Sequence, residues 1–332
     1  MRDPAFWWRE KSLSAALLSP VGACYGAAAA RRMQRAGDRT GVPVVCVGNF
    51  TLGGAGKTPT VIALAKKLIA AGEKVFCLSR GYGGRIAGPK QVDAHSDTAA
   101  DVGDEALLLA HAAPTIVSRD RVAGAHMARA RGATVVLMDD GLQNGAIAKD
   151  FTIAVIDGKR GIGNGRVFPA GPLRAPIDTQ LTRCDALLVV AESGGAHAVL
   201  AAAQARALPI LHGRLVADSA AVTALKPRRV LAFAGIGDPE KFFATVAAAG
   251  IAIAVRRRFP DHYRYTAEDA AELVMQAEAD ALTLLTTEKD HVRMTGDPAL
   301  AALCSRTHTL PVSMVIEEAR ELQQRLSAAL KR

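Results

Sequence analysis

The sequence predicts an α/β protein built on parallel sheets: two α/β domains behind an N-terminal helical segment. Three observations predict it. Short apolar runs alternate with helical patterns through residues 42–157, as βαβ units require. A glycine-rich turn at 51–58 joins the first such run to the first helical pattern. A second set of apolar runs follows a Gly- and Pro-rich stretch at 158–176 that has no periodicity. A chain of 332 residues is long for one core and comfortable for two. The boundaries read as an N-terminal segment over 1–40, a first domain over 41–157 and a second over 158–332.

The N-terminal segment opens with both tryptophans of the chain, in Phe6-Trp7-Trp8. An apolar stretch over about 13–30 follows, broken by Pro20, Gly22 and Gly26, and stops at Arg31-Arg32. It is short and weakly apolar for a transmembrane span, and aromatics ahead of the apolar run fit a secretory signal poorly. Two readings stay open. One is an interfacial helix, with Trp at headgroup level and Arg facing anionic lipid; the other is an amphipathic helix packed on the first domain.

In the first domain the strand-like runs are 42–50, 74–79, 115–118, 134–138 and 151–157, with helical patterns at 59–71, 105–112 and 122–131. Thr51-Leu52-Gly53-Gly54-Ala55-Gly56-Lys57-Thr58 stands between strand and helix. Missing side chains let backbone N–H groups converge on a polyphosphate. The helix aims roughly half a unit of positive charge at the same point. Lys57 reaches the outer phosphates and the Thr58 hydroxyl holds Mg²⁺ in such a loop. Thr51 replaces the Gly of the strict pattern, so the loop is a variant. The 134–138 run ends in Asp139-Asp140-Gly141, which places a carboxylate where P-loop enzymes hold their metal. Paired Asp before Gly is also ordinary turn chemistry.

In the second domain the runs are 186–190, 209–215, 229–234, 251–256 and 281–286. Residues 235–240 form a βα turn with Asp238 as N-cap and Pro239 at the first helical position. No Lys-Thr follows, so it is not a second nucleotide loop. Thr266 caps a helix reaching about residue 279, and 317–331 is a terminal amphipathic helix, free to pack back on the first domain.

A net charge of +9 favours polyanions: nucleic acid, nucleotide or anionic headgroups. The basic residues are scattered, with neither zinc-finger spacing nor an RNA-binding aromatic signature, which disfavours nucleic acid. Five cysteines without a Cys-x-x-Cys point to a reducing compartment. Among P-loop classes, a GTPase needs Asn/Thr-Lys-x-Asp, whereas Thr287-Glu288-Lys289-Asp290 has Lys and Asp adjacent. A partition or maturation switch ATPase needs Lys where Leu52 stands. A small-molecule or lipid kinase survives, with the switch ATPase as the alternative.

The motifs, in order, resemble the tetraacyldisaccharide 4'-kinase family of lipid A biosynthesis. They are residues 47–59, Arg80-Gly81-Tyr82-Gly83, Val102-Gly103-Asp104-Glu105 and Asp139-Asp140-Gly141-Leu142-Gln143. Further on come Gly163-Asn164-Gly165-Arg166, residues 169–174, Phe259-Pro260-Asp261-His262 and residues 286–290. Asn144 departs from the His that many members carry there. The resemblance implies two α/β/α sandwich domains with a cleft between them. It implies ATP- and Mg²⁺-dependent phosphorylation of the 4'-hydroxyl of a tetraacyldisaccharide 1-phosphate, giving lipid IVA. The enzyme is then expected on the cytoplasmic face of the inner membrane, meeting its glycolipid and an anionic surface, without nucleic acid or an obligate protein partner.

The same resemblance distributes roles. Residues 51–58 hold ATP, with Lys57 also catalytic. Thr58 and Asp139 hold Mg²⁺, joined by Glu105 and Gln143. Asp104 is the base and His262 its partner. Arg80, Asn164 and Arg174 bind substrate, the loop 163–174 lying on the substrate side. Read without the family, Asp104 and Glu105 are first-turn acids of a helix capped by Asp101, and His262 is a solvated loop residue.

Overall fold

The computed structural model describes residues 3–191 and 194–331. Runs of Val, Ile, Leu and Ala that are buried at every position can be strands only where helices cover both faces of a sheet. Such runs form the middle of the larger sheet, whose strands are β1 (Val44–Gly48), β2 (Val75–Ser79), the short and polar β3 (Lys90–Gln91), β4 (Thr115–Val117), β5 (Val135–Asp139), β6 (Phe151–Asp157), β7 (Ala186–Val190) and the half-exposed β8 (Ile210–Ala217). The chain then leaves for a smaller sheet of β9 (Arg229–Ala234), β10 (Ala252–Arg258), β11 (Thr283–Thr286) and β12 (Thr307–Thr309). It returns with β13 (Val312–Ile316).

The nine-stranded order is β13-β8-β7-β6-β1-β5-β2-β4-β3, and the four-stranded order is β10-β9-β11-β12. Only the outermost pairs, β13 with β8 and β3 with β4, are antiparallel. The boundary expected at 158 is therefore corrected. Ala186 pairs with Ile153 and Ile210 with Leu187, so β7 and β8 extend the first sheet, and the strands of the smaller sheet begin with β9. The physical reason is that β6, buried on both faces, would otherwise be an apolar edge. The Gly- and Pro-rich stretch is a long, partly buried loop that follows β6 of the larger sheet, with Leu173 and Ala175 in its core.

The helices that position the site are α1 (Leu13–Met33), α2 (Lys57–Ala70), α3 (Asp104–Ala110), α4 (Pro239–Ala248), α5 (Glu288–Met294) and α6 (Ala319–Leu330). On one face of the large sheet, Val61, Leu64 and Leu68 of α2 join Leu322 and Leu326 of α6 over Val45, Leu137 and Ile153. The opposite face is covered by Ala29 and Met33 of α1, and by the helix Arg121–Ala130. In the small sheet, Phe242 and Phe243 of α4 cover one side, and Met294 of α5 lies with Leu273 on the other.

The residues that interrupt the apolar stretch do not break the helix; α1 runs unbroken for 21 residues with Pro20 inside it. Its glycines serve close packing instead. A Cβ at Gly22 would lie 2.8 Å from the Val167 carbonyl, and one at Gly26 would meet Pro176. The opposite face presents Leu13, Leu17, Val21 and Tyr25, one turn apart, with Leu13 85% and Leu17 81% exposed. The tryptophans lie elsewhere. Trp7 is buried, its Nε1 donating to the Pro169 carbonyl at 3.0 Å. Trp8 is half-buried beneath the Arg160 guanidinium, 5.0 Å away.

Candidate active site at the junction of two sheets

β1 lies mid-sheet between β5 and β6, so the loop that follows it opens at the carboxyl ends of the parallel strands, where α/β folds bind ligands. Gly53 (φ +99°) and Gly56 (φ +92°) take left-handed conformations that L side chains resist. Asn49 braces the turn from within: its Nδ2 donates to the carbonyls of Thr51 (2.7 Å) and Gly53 (3.2 Å). Its Oδ1 accepts from Lys57 Nζ at 3.1 Å. Lys57 is buried at the start of α2, 3.6 Å from Asp140 Oδ1. Burial lowers its pKa, and the Asp140 carboxylate works against that fall.

The end of β5 supplies the acids. Asp139 pairs in register with Val47 of β1, beside the phosphate loop. Its buried Oδ1 has no hydrogen-bond partner. Burial raises its pKa, and the charges of Glu105 and Asp140 raise it further. An orphaned, crowded carboxylate on the strand next to the phosphate loop fits a divalent cation, and Thr58 at the start of α2 is buried as well. Among the described residues no three His, Cys, Asp or Glu cluster as a self-sufficient metal site. Mg²⁺ commonly needs only one or two carboxylates, with waters and phosphates completing its shell.

Asp140 adopts φ +51° and receives Arg174, whose Nη1 lies 2.8 and 2.9 Å from the two carboxylate oxygens. Burial opposes ionisation there, but Lys57 and Arg174 hold the carboxyl well below the usual range. Arg174 Nε also donates to the Thr51 carbonyl at 3.0 Å, and Leu173 bridges to Thr51. The loop 163–174 thus belongs to the phosphate loop and the larger domain, which corrects its expected place in a second domain.

Two side chains expected as ligands make hydrogen bonds within the protein. Gln143 Nε2 donates to the Asn49 carbonyl (2.8 Å) and to Gln180 Oε1 (2.7 Å), bracing the base of the loop. Asn164 Nδ2 donates to the carbonyls of Phe6 and Ala170 while its Oδ1 accepts from Arg166 N–H, which ties the N-terminus to the loop. Asn144 Oδ1 accepts from Ala146 N–H within a turn. Arg80 is exposed just past the end of β2.

The carboxyl ends of the smaller sheet face the same junction. α3 begins at Asp104 with Gly103 as its N-cap, and Asp101 instead closes a capping box with Thr98 on the preceding short helix. Asp101 is therefore not the cap of α3. Asp104 is buried. Its Oδ1 accepts from Glu105 N–H at 2.8 Å, and its Oδ2 stands 3.3 Å from His262 Nδ1. His262, just past β10, holds φ +55°, an uncommon backbone for a non-glycine residue and one met at functional sites. Burial would raise the Asp104 pKa, but contact with His262 and the charges of Arg293 and Lys289 hold it below the carboxylate range. Asp104 in turn raises the pKa of His262 against partial burial. Glu105, expected at the metal, pairs with Lys289 Nζ at 2.7 Å, and that charge lowers its pKa. On the opposite flank Arg160 meets Asp238 at 2.9 Å, and Lys241 pairs with Asp157.

A family model described as tetraacyldisaccharide-1-P 4'-kinase (LpxK) matches residues 14–331. The chain belongs to this kinase family. It is 54% identical over 332 residues to the tetraacyldisaccharide 4'-kinase of Nitrobacter hamburgensis, covering all of this chain and 99% of that one. Identity is also 54% to the enzyme of the same name from Methylobacterium sp., with 100% and 98% covered. A crystal structure of LpxK from Aquifex aeolicus in complex with ATP superposes with a TM-score of 0.72 at 24% identity. It covers 95% of this chain and 99% of that one. The fold is thus that of the LpxK kinases, and the switch-ATPase alternative is left without support.

Sequence reasoning about this kinase missed three residues. Asn49 was visible only as part of a motif, although a polar residue ending a buried strand signals a loop brace. Lys289, the lysine of the Thr287-Glu288-Lys289-Asp290 string that resembled a base-reading motif, and Arg293 stand one turn apart on α5. No pattern along the chain announces that they face Asp104 and Glu105.

Proposed function

We propose that this chain transfers the γ-phosphoryl group of ATP to the 4'-hydroxyl of a tetraacyldisaccharide 1-phosphate. The observation that carries this reading is the meeting of Asp104 and His262, brought from two sheets to one junction beside the Lys57 loop. Phosphoryl transfer asks mainly for positioning and charge neutralisation. The loop N–H groups and Lys57 would hold the β- and γ-phosphates. Arg174 and Lys57 keep Asp140 ionised between them. Thr58 and Asp139 would hold Mg²⁺, which when bound neutralises charge on the phosphate oxygens. As the 4'-oxygen attacks phosphorus and the bond to ADP breaks, the hydroxyl proton passes to the Asp104–His262 pair. The pair is split between the two domains, so it forms only when they dock. That arrangement limits wasteful hydrolysis.

A tetraacylated acceptor stays in the bilayer. The Leu13, Leu17, Val21 and Tyr25 face of α1, with Arg31 and Arg32 at its end, supports peripheral attachment to an anionic membrane. Among the described residues α1 alone is long and apolar enough to be considered as a span. The inner membrane's cytoplasmic face is the side where ATP is available. The deciding experiment offers radiolabelled ATP and a tetraacyldisaccharide 1-phosphate in detergent micelles. Labelled lipid is the expected product; ATP hydrolysis without labelled lipid would refute the reading.

A further inference from the structure

We propose that Arg293 is a positioning residue for phosphoryl transfer, holding Asp104 and the backbone that carries His262 in one arrangement across the two sheets. The proposal rests on the reading of Asp104 and His262 as the catalytic pair. The guanidinium is almost fully enclosed, its side chain 7% exposed. Nε and Nη2 both donate to Asp104 Oδ2, Nε at 2.8 Å. Nη1 donates to the Gly235 carbonyl at 2.6 Å and to Asp290 Oδ1 at 2.8 Å. That same carbonyl accepts the backbone N–H of His262 at 3.1 Å. One planar cation therefore bridges the carboxylate of one sheet's helix and the turn that presents its histidine from the other.

Arg293 is itself fixed from behind. Asp290 is fully buried and accepts from Gly235 N–H (3.0 Å), Tyr265 O–H (3.0 Å) and Thr287 O–H (2.7 Å). Burial raises the Asp290 pKa, and the Arg293 charge is foremost among the influences opposing that rise. Arginine suits this place because its fork of donors spans two acceptors in fixed geometry, whereas a lysine ammonium is a single point on a flexible stem. One turn earlier on α5, Lys289 meets Glu105, so consecutive acids of α3 face two cations of one helix. The hydrogen-bond partners of Arg293 are Asp104, Gly235 and Asp290, none of them in the phosphate loop.

The test is steady-state kinetics of full-length Arg293→Met, Arg293→Lys, Asp104→Asn and the double variant Arg293→Met/Asp104→Asn, each checked for folding by thermal melting. A displacement of about 1 Å at a reacting group costs on the order of 10²-fold. Arg293→Met should therefore lower kcat by about that factor, with the KM for ATP within about twofold. Arg293→Lys, which keeps the charge and loses the bridge, should fall between it and the parent. In the double variant Arg293→Met should add little to the loss from Asp104→Asn, because it acts through that carboxylate. A folded Arg293→Met with parental kcat would overturn the proposal, as would fully multiplicative losses or an effect confined to ATP KM. If Arg293→Met does not accumulate folded, Arg293→Lys decides: parental kcat overturns the bridge, and a loss in kcat alone supports it. Normal turnover by Asp104→Asn would instead remove the catalytic-pair reading, and this proposal with it.

Discussion

Arg174 Nη1 contacts both carboxylate oxygens of Asp140, while Asp140 Oδ1 stands 3.6 Å from Lys57 Nζ. A residue of the long loop after β6 thus reaches the phosphate lysine through one shared acid. Releasing Arg174 would leave Asp140 to Lys57 alone and draw the ammonium from its phosphates. Arg174→Ala should lower kcat and raise the ATP KM about tenfold, roughly the cost of one charge-assisted bond. The lipid KM should move by less than about twofold. A change confined to the lipid KM would return Arg174 to the acceptor side.

In the proposed reaction Lys57 would stabilise the charge that develops on the transferred phosphoryl. Lys57→Ala should cost on the order of 10²–10³ in kcat, by analogy with loss of one oxyanion donor. Initial rates of lipid labelling with a folded variant are the measurement, and a parental rate would contradict the role.

Asp104 raises the His262 pKa, so their contact stabilises the fold most when the imidazole is protonated. Asp104 is held below the carboxylate range and stays ionised throughout. The contribution is complete below the unfolded histidine value of about 6.5 and fades as pH rises through the higher folded value. The Tm gap between parent and His262→Gln should be widest near pH 6 and narrow toward pH 9. A gap that widens with pH would reverse the assignment.

On the proposed reading the exposed stripe of α1, and not the tryptophans, meets the membrane. Leu13→Ser/Leu17→Ser/Val21→Ser should reduce sedimentation with anionic liposomes while leaving Tm within about 2 °C, as exposed positions contribute little to folding. Trp7→Ala should instead lower stability by about 3 kcal/mol through a lost core side chain. Denaturant titration of both variants separates the two outcomes.

Much of the nucleotide site was legible along the chain. A loop of consecutive residues sets its own φ values, so glycines at 53, 54 and 56 followed by Lys57 and Thr58 announce a phosphate cradle before any fold is known. Asp139-Asp140 at the end of an apolar run was equally local. Gln143 and Asn164 were legible only as polar residues of the motifs; that their amide nitrogens donate to backbone carbonyls of the neighbouring loops is decided by packing.

The sequence by itself determined the phosphate loop, the acids after β5, the α/β alternation and the family motifs, because each is a property of neighbouring residues. Only the tertiary structure decided that β7, β8 and β13 join the first sheet, that Trp7 turns inward, and that Arg293 joins Asp104 to the turn bearing His262. Those outcomes depend on competition between distant partners. An apolar edge takes whichever strand buries it, and a buried carboxylate takes whichever cation the packing delivers. Neither choice is written in the spacing of residues along the chain.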